Sequence, residues 1–556
     1  MMKETKRDIL KATCKSIEEA RSSFESHWQD IADYTYPRSY RWLDDDWTSR
    51  GNKANKKIID PTATLACRTL VAFFSSGITP SSRPWKAFKA SDARFNGDHE
   101  VKEYLAETNE LMDGYILQSN FYQEASKVYE QCALFGTAAM LVEEDNKTHF
   151  RCETLPAGSY YLGVDPYQRV NQMFRKVQMT ARQMASAFGY DNLSDKVKEA
   201  FDNKNLRDKG RFEVWHYVGP NDAYDGRTLD KEFMSCYMEA VGDTDKLLRE
   251  SGYDEFPVIA VRWKSMGDDV YGQDCPGQII LGSIKELQHA WKQIHKAWEK
   301  QVNPPLNAPE SSRRTTIETF AGAVNYHDSR SAQDGIRPTY QVQFDTQGVM
   351  MGVQDLRSQI KDAFFYNQFM MVADNRRSGT KAREIEELAD EKMNSLATTY
   401  EQFSNEFLDP FVNRAYNICN RRGILPEPPA QFQGTPFTIE YVSVMAQAMK
   451  MVGIGNMDRA LAIMGQVGTI RPEVTDIMDA DKFVTQYWER LGVDARTMSS
   501  PDEIKGMREM RAQQQAQQQQ MQDTQVQADT AKVLSDTKIE QDSALSALVN
   551  QTRAFQ

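Results

Sequence analysis

Two long apolar stripes of helical period, separated by a short turn-rich insert, restrict this chain more than any other feature. From Gln278 to Val302, the residues Ile280, Ile284, Leu287, Trp291, Ile294 and Trp298 recur at spacings of four, three, four, three and four. That period gathers them on one face of a helix, with Lys285, Gln288, Lys292, Lys296 and Lys300 at the other positions. At ~1.5 Å of rise per residue the helix would be about 35 Å long. Asn303-Pro304-Pro305 stops it, because proline lacks the backbone donor and crowds the preceding turn. A second stripe, Val349, Val353, Leu356, Ile360 and Phe364, begins just after Gly348. Between them, residues 303–347 carry Pro309, Gly322, Gly335 and Pro338 and a β-like run from Tyr340 to Phe344. A compact insert of this kind makes the two helices antiparallel neighbours. The stripe with Trp291 and Trp298 reads as core or subunit interface rather than as a platform for stacking a ligand.

Around this unit the chain reads as α+β and predominantly helical. Helices are expected over residues 1–30, ended by Tyr36-Pro37, then over about 62–74, 98–119 and 122–134. Strand-like runs follow at Ala138–Val142, Phe150–Leu155, Tyr160–Leu162, Arg211–Val218, Phe233–Val241 and Phe256–Trp263, with short helices near 180–188 and 194–203. After the second stripe comes the break Asp374-Asn375-Arg376-Arg377-Ser378-Gly379, and then the longest helical pattern, about 380–422. Pro410 lies inside it and predicts a kink near Phe407. Residues 437–498 read as short, methionine-rich helices. Glutamine fills seven of the eight positions from 513 to 520, and neither glycine nor proline occurs after Met507. Such a tail is either disordered or a helix that needs identical neighbours.

Charge and motifs narrow the function. The net charge of −12 leaves no global basic footprint, which argues against a protein that grips nucleic acid tightly, such as a repressor or polymerase. It is compatible with a surface past which DNA slides. No phosphate-binding GxxxxGK[ST] loop, HExxH or GxSxG is present, so no catalytic residue, metal ligand or cofactor is assigned. The seven cysteines are scattered without a CxxC pair and read as free thiols of a reducing cytosol. No run is apolar enough for a membrane span, and Met1–Lys15 lacks the apolar centre of a signal peptide. The basic group Arg376, Arg377, Lys381 and Arg383, at a break between helices, admits two readings: a solvated connector, or a loop that touches phosphates.

Several segments, in this order, resemble those of phage portal proteins, the head-to-tail connectors of short-tailed phages. Thr79-Pro80 to Trp85-Lys86-Ala87-Phe88 is similar to a proline-then-tryptophan segment of that family, and Gly136-Thr137-Ala138-Ala139-Met140-Leu141 to its glycine-led strand. Phe256–Trp263 resembles the strand before the first stem helix, and Gly267-Asp268-Asp269-Val270-Tyr271-Gly272 the turn after it. Arg376 to Ile385 resembles the start of the kinked wing helix. The likeness runs from about Phe24 to Leu425.

The resemblance implies a wing body over 1–276, a first stem helix over 277–302 and a clip over 303–347. It further implies a second stem helix over 348–372, a channel loop over 373–379, a kinked wing helix and its exit over 380–436 and a crown over 437–500. Residues 501–556 would then be a barrel helix or a disordered tail. It implies a homododecameric ring at one capsid vertex of the virion, assembled in the host cytoplasm with capsid and scaffolding proteins. Double-stranded DNA would pass through it. Asn375, Arg376, Arg377 and Lys381 would face that DNA, and Arg313, Arg314, Phe320, Tyr326 and Arg330 would dock the terminase large subunit and later the tail adaptor. Ile284, Leu287, Trp291, Ile294, Trp298, Leu356 and Ile360 would pack the stem. Two other classes compete: a non-viral helical scaffold or adaptor, which leaves the matched stripes unexplained, and a metal-dependent nuclease.

Overall fold

The computed structural model describes residues 5–37, 57–307, 337–339, 345–366, 398–442 and 501–536, apart from 93, 96–97, 223, 225–230, 241–245 and 268, together with Tyr40 and a few isolated positions. The first helix, α1 (Lys6–Thr35), opens on a reciprocal cap in which the Thr5 side chain accepts from the backbone N–H of Asp8. It runs to the Tyr36-Pro37 stop. Helices α2 (Thr62–Gly77), α3 (His99–Gln118) and α4 (Phe121–Phe135) follow, with strand β1 (Lys86–Ala90) between α2 and α3.

Two antiparallel sheets complete the body. Strands β2 (Thr137–Asp145) and β3 (His149–Leu155) form a hairpin, and β9 (Val258–Arg262) adds to the far side of β2, with Met140 opposite both Thr154 and Ile259. Strands β4 (Tyr160–Val164), β5 (Val170–Thr180), β6 (Arg211–Pro220), β7 (Phe233–Glu239) and β8 (Arg249–Tyr253) form a five-stranded sheet in sequence order. One face of this sheet packs Phe174, Trp215 and Met238 against Leu10, Cys14 and Ile17 of α1. The other packs Val214 and Leu248 against the short helices α5 (Ala181–Phe188) and α6 (Asp195–Asp202). Helices on one side and strands on the other of shared cores make the body α+β.

The matched stripes become two antiparallel helices, α8 (Leu281–Val302) and α9 (Thr346–Ala363), preceded by the single turn α7 (Pro276–Ile279). The base of the insert is pinned by two-residue strands, β10 (Leu306–Asn307) and β11 (Arg337–Pro338), and by Thr339 N–H donating to the Pro305 carbonyl at 2.7 Å. Both helices differ from their expected bounds. Ile280, read as the first stripe residue, is the joint between α7 and α8, with φ −97° and ψ 3°. The second helix does not run unbroken to 372: it ends at Ala363, and Phe365 takes a left-handed φ of 58°.

A π-helical turn, Ser404–Leu408, lies directly before α10 (Asp409–Arg421), an over-wide turn at the place where Pro410 predicts a departure from the regular helix. Phe403, Phe407 and Phe411 enter the main core beside Phe74, Tyr129 and Phe121, with Phe121 and Phe411 stacked at 3.9 Å. Residues 437–441 are not helical as expected. They form β12 (Phe437–Tyr441), which pairs antiparallel with β1, Lys86 opposite Tyr441. Trp85 stacks flat on Tyr441 at 6.3 Å and fixes that pairing. The glutamine-rich segment is helical over α11 (Pro501–Asp536), with nearly all its described side chains exposed. All seven cysteines are buried and unpaired, and burial pushes the Cys275 thiol up to about 12.

The chain crosses itself where α4 ends and the segment leading into α7 and α8 begins. Gly136 caps α4 with φ 77°, a left-handed conformation that glycine adopts without steric cost. The last carbonyls of α4 find partners in the incoming segment: Leu134 accepts from Cys275 Sγ at 3.3 Å, Phe135 from Gln278 Nε2 at 3.2 Å, and Gly136 from Trp263 N–H at 2.8 Å. A Cβ on Gly136 would lie 2.3 Å from the Gly272 carbonyl oxygen, and one on Gly277 would lie 2.4 Å from that of Leu134. Gly136→Ala therefore adds both backbone strain and a collision. We expect it to lower unfolding stability by about 2–4 kcal/mol, read as a lower urea midpoint in tryptophan fluorescence, whereas Gly506→Ala, in open space on α11, should leave the midpoint unchanged.

Candidate functional site

The root of the helix pair is built around one carboxylate. Asp60 precedes Pro61 at the start of α2 and is only 4% exposed. Its Oδ1 accepts from Thr62 N–H at 2.9 Å and from Thr62 Oγ1 at 2.5 Å. Its Oδ2 accepts from Trp291 Nε1 of α8 at 2.8 Å and from Arg357 of α9, through Nε at 2.9 Å and Nη2 at 2.8 Å. Gln288 closes the joint: its Oε1 accepts from the N–H groups of Ile59 and Asp60, and its Nε2 donates to the Asp60 carbonyl at 2.9 Å. One residue of the body thus holds both long helices at once.

Flanking contacts fix how the pair sits. Lys285 Nζ of α8 lies 2.6 Å from Asp30 of α1, and Ser283 Oγ reaches Gln359 Oε1 of α9 at 3.5 Å. The Arg357 guanidinium sits 5.5 Å over the Trp291 ring. Beyond the root, Trp291, His295 and Trp298 make a ladder of aromatic rings along α8. A second clasp binds the kinked helix. Glu406 of the π turn accepts from the Arg262 N–H at 2.9 Å and from Arg262 Nε at 3.1 Å, where β9 ends.

Of the stem positions picked from sequence, Ile284, Leu287, Ile294 and Ile360 are buried, and Trp291 and Leu356 are half-buried. Trp298 does not pack away within one chain: it stays 39% exposed, because the stripe outruns the body that covers its lower half. Asn375, Arg376, Arg377 and Lys381 lie outside the described residues, as do Arg313, Arg314, Phe320, Tyr326 and Arg330. Asp60, Gln288 and Arg357 were missed. Asp60-Pro61 looked like a turn, and Gln288 stood off the apolar stripe. Among the described residues no cluster of three or more His, Cys, Asp or Glu is placed to hold a metal ion, and no helix is long and apolar enough to cross a membrane.

Comparison with known proteins places the chain in a class. The chain belongs to the bacteriophage head-to-tail connecting proteins, whose family model matches residues 7–498. It is 37% identical to the portal protein of Salmonella phage epsilon15, over 100% of both chains. It is 33% identical to the probable portal protein of Bordetella phage BPP-1, over 100% of this chain and 99% of that one. The neck of an empty GTA particle aligns with 73% of this chain and 86% of its own at 12% identity, with a TM-score of 0.29, too loose a match to build on. The family is the one the sequence resembles, and the head-to-tail connecting role follows from it.

The electrostatics of Asp60 give a test of the root. Burial pushes its carboxyl upward, but the donors Thr62, Arg357 and Trp291 outweigh that and hold it below the ordinary value of 3.8. A depressed acid contributes stability that is fully present above its unfolded value and is lost as pH falls through the folded one. Asp60→Asn should therefore cost about 2–3 kcal/mol at neutral pH. Melting curves of parent and variant should converge as pH drops below about 4.

Proposed function

We propose that the chain assembles with copies of itself into a twelve-membered ring at one capsid vertex and that double-stranded DNA moves through its centre during packaging and ejection. In this reading α8 and α9 are the stem around the channel. The insert between them, residues 303–347, is the clip that docks the terminase large subunit and then the tail adaptor. Residues 373–379 are the channel loop, 437–500 the crown and 501–556 a barrel helix. Capsid and scaffolding proteins meet the ring during assembly in the host cytoplasm. Its work is structural, and none of these steps asks the chain for catalysis.

One observation carries the reading. The stem pair leaves large apolar side chains in water beyond its root: Trp298 at 39%, Met351 at 74% and Val302 at 77% exposure. On an isolated chain these would be a liability, and copies of the same helices, side by side, remove it. The pinned base of the insert at β10 and β11 supports a compact projection at the far end of the pair. The overall negative charge suits a duplex that must slide, since the attraction of phosphates to a wall comes from its cations.

Negative-stain images of the purified chain should show rings with a central hole. Monomers at micromolar concentration and near-physiological salt would remove the ring and the channel together. Within an assembled ring, Arg376→Ala combined with Arg377→Ala should leave particle shape unchanged and reduce retention of full-length genomes. Unchanged retention across salt concentrations would make the loop a solvated connector.

A further inference from the structure

The two stem helices carry opposite charge on faces that their own chain leaves open. On α8, Lys285, His289, Lys292 and Lys296 follow one another at steps of four, three and four. On α9, read backwards, Asp362, Ser358, Asp355 and Met351 follow at the same steps. Each set is one row along a helix. His289, Lys292, Lys296, Met351, Asp355, Ser358 and Asp362 are all exposed, and Lys285 is half-exposed.

These rows do not meet within one chain. Ser283 reaches across to Gln359 of α9, whereas Lys285 turns to Asp30 of α1, so the basic row runs along the flank of α8 that faces away from α9. The acidic row lies on the side of α9 opposite the buried Val353 and Ile360. Among the described residues Lys292 and Lys296 have no ion-pair partner. Among the described residues Asp355 accepts only from the neutral Gln359 amide, at 3.0 Å.

We propose that the basic row of α8 packs against the acidic row of α9 on the next copy of this chain, with Lys292 opposite Asp355 as the central ion pair. The inference rests on the ring reading and names the seam between subunits. Head-to-tail contact in a closed ring uses two different faces of each copy, which is what unlike rows on α8 and α9 provide. The helices meet antiparallel, as they do within the chain, and the matching steps then align every position at once. His289 falls opposite Ser358, and Lys285 opposite Asp362. The Lys296 stem lies over Met351, burying methylene against thioether while its charge stays in water. A single exposed ion pair contributes little, but the ring repeats it at every interface, and a reversal puts like charges face to face at each of them.

The test uses the full chain in four forms: parent, Lys292→Glu, Asp355→Lys and the double reversal. Light scattering after size exclusion, over a dilution series, reads the fraction in rings at about 50 mM and about 1 M salt. Thermal melting checks that each exposed substitution leaves the fold intact. At low salt each single reversal should lower the ring fraction at least tenfold near the parent's half-assembly concentration, and the double reversal should return it to within threefold. High salt, which screens exposed charge, should shrink both deficits. Singles that assemble like the parent, or a double no better than its worse single, would overturn the pairing while leaving the ring reading intact. Loss of assembly with Lys292→Glu but not with Asp355→Lys would also overturn it and assign the basic row to another partner, such as DNA phosphates. A parent that is monomeric throughout would overturn the ring and the seam together.

Discussion

The buried carboxylate of Asp60 is the interaction on which the arrangement of this molecule depends. Two helices of 22 and 18 residues project from an α+β body, and each would be free to swing if only its apolar stripe held it. Apolar contact is non-directional. Asp60 supplies direction: Oδ1 holds the first turn of α2 and Oδ2 takes one donor from α8 and two from α9. The cost of burying the charge is offset because both oxygens are engaged and the partner is a guanidinium, whose fork matches a carboxylate. Gln288 then ties the same loop to α8 through backbone groups on either side of the Ile59–Asp60 bond.

A second constraint acts at the crossing of α4 with the strand and turn that lead into α7 and α8. There the backbones touch, and only glycine fits at 136 and 277. The carbonyls at the end of α4 are satisfied by the segment that leads into α7, so the end of a body helix and the beginning of the long helix pair form one hydrogen-bonded unit. On the other side of β9, Glu406 ties the π turn to Arg262. The end of α4 and the π turn before α10 are thus both tied to β9 and the residue after it, Trp263 through Gly136 and Arg262 through Glu406. Any shift of the kinked helix must either break the Glu406 clasp or carry β9 with it.

Much of this was legible in the sequence where the signal is local. The stripes of α8 and α9, the Tyr36-Pro37 stop and the irregular turn before Pro410 each follow from period or from proline. What was not legible depended on distant partners. Residues 437–441 read as helix only by extension of the methionine-rich stretch that follows; Phe437, Thr438, Ile439 and Tyr441 themselves favour a strand. They are a strand because Lys86–Ala90 offers a ladder and Trp85 a flat partner for Tyr441. Strand β5 lacks clean alternation, since its neighbours β4 and β6 and the residues on both faces bury it unevenly. Gln288 read as a polar position off the stripe, and nothing in the sequence singled out Asp60 or Arg357. A polar residue off an apolar face carries no sign that three such residues, far apart in the chain, converge on one another. Conversely, Trp298 fitted the stripe and yet is exposed, because the period of a helix says which face is apolar but not how far its cover extends.

The claim that Asp60 fixes the long helix pair to the body is tested most directly by a double-mutant cycle between Asp60→Asn and Arg357→Gln, with unfolding free energies measured for all four proteins at neutral pH. Contact through a shared carboxylate predicts a coupling of about 1–3 kcal/mol, with the double variant little worse than Asp60→Asn alone. Costs that simply add, to within about 0.5 kcal/mol, would mean that the two residues act independently and that the helix pair is held to the body by its apolar stripes alone.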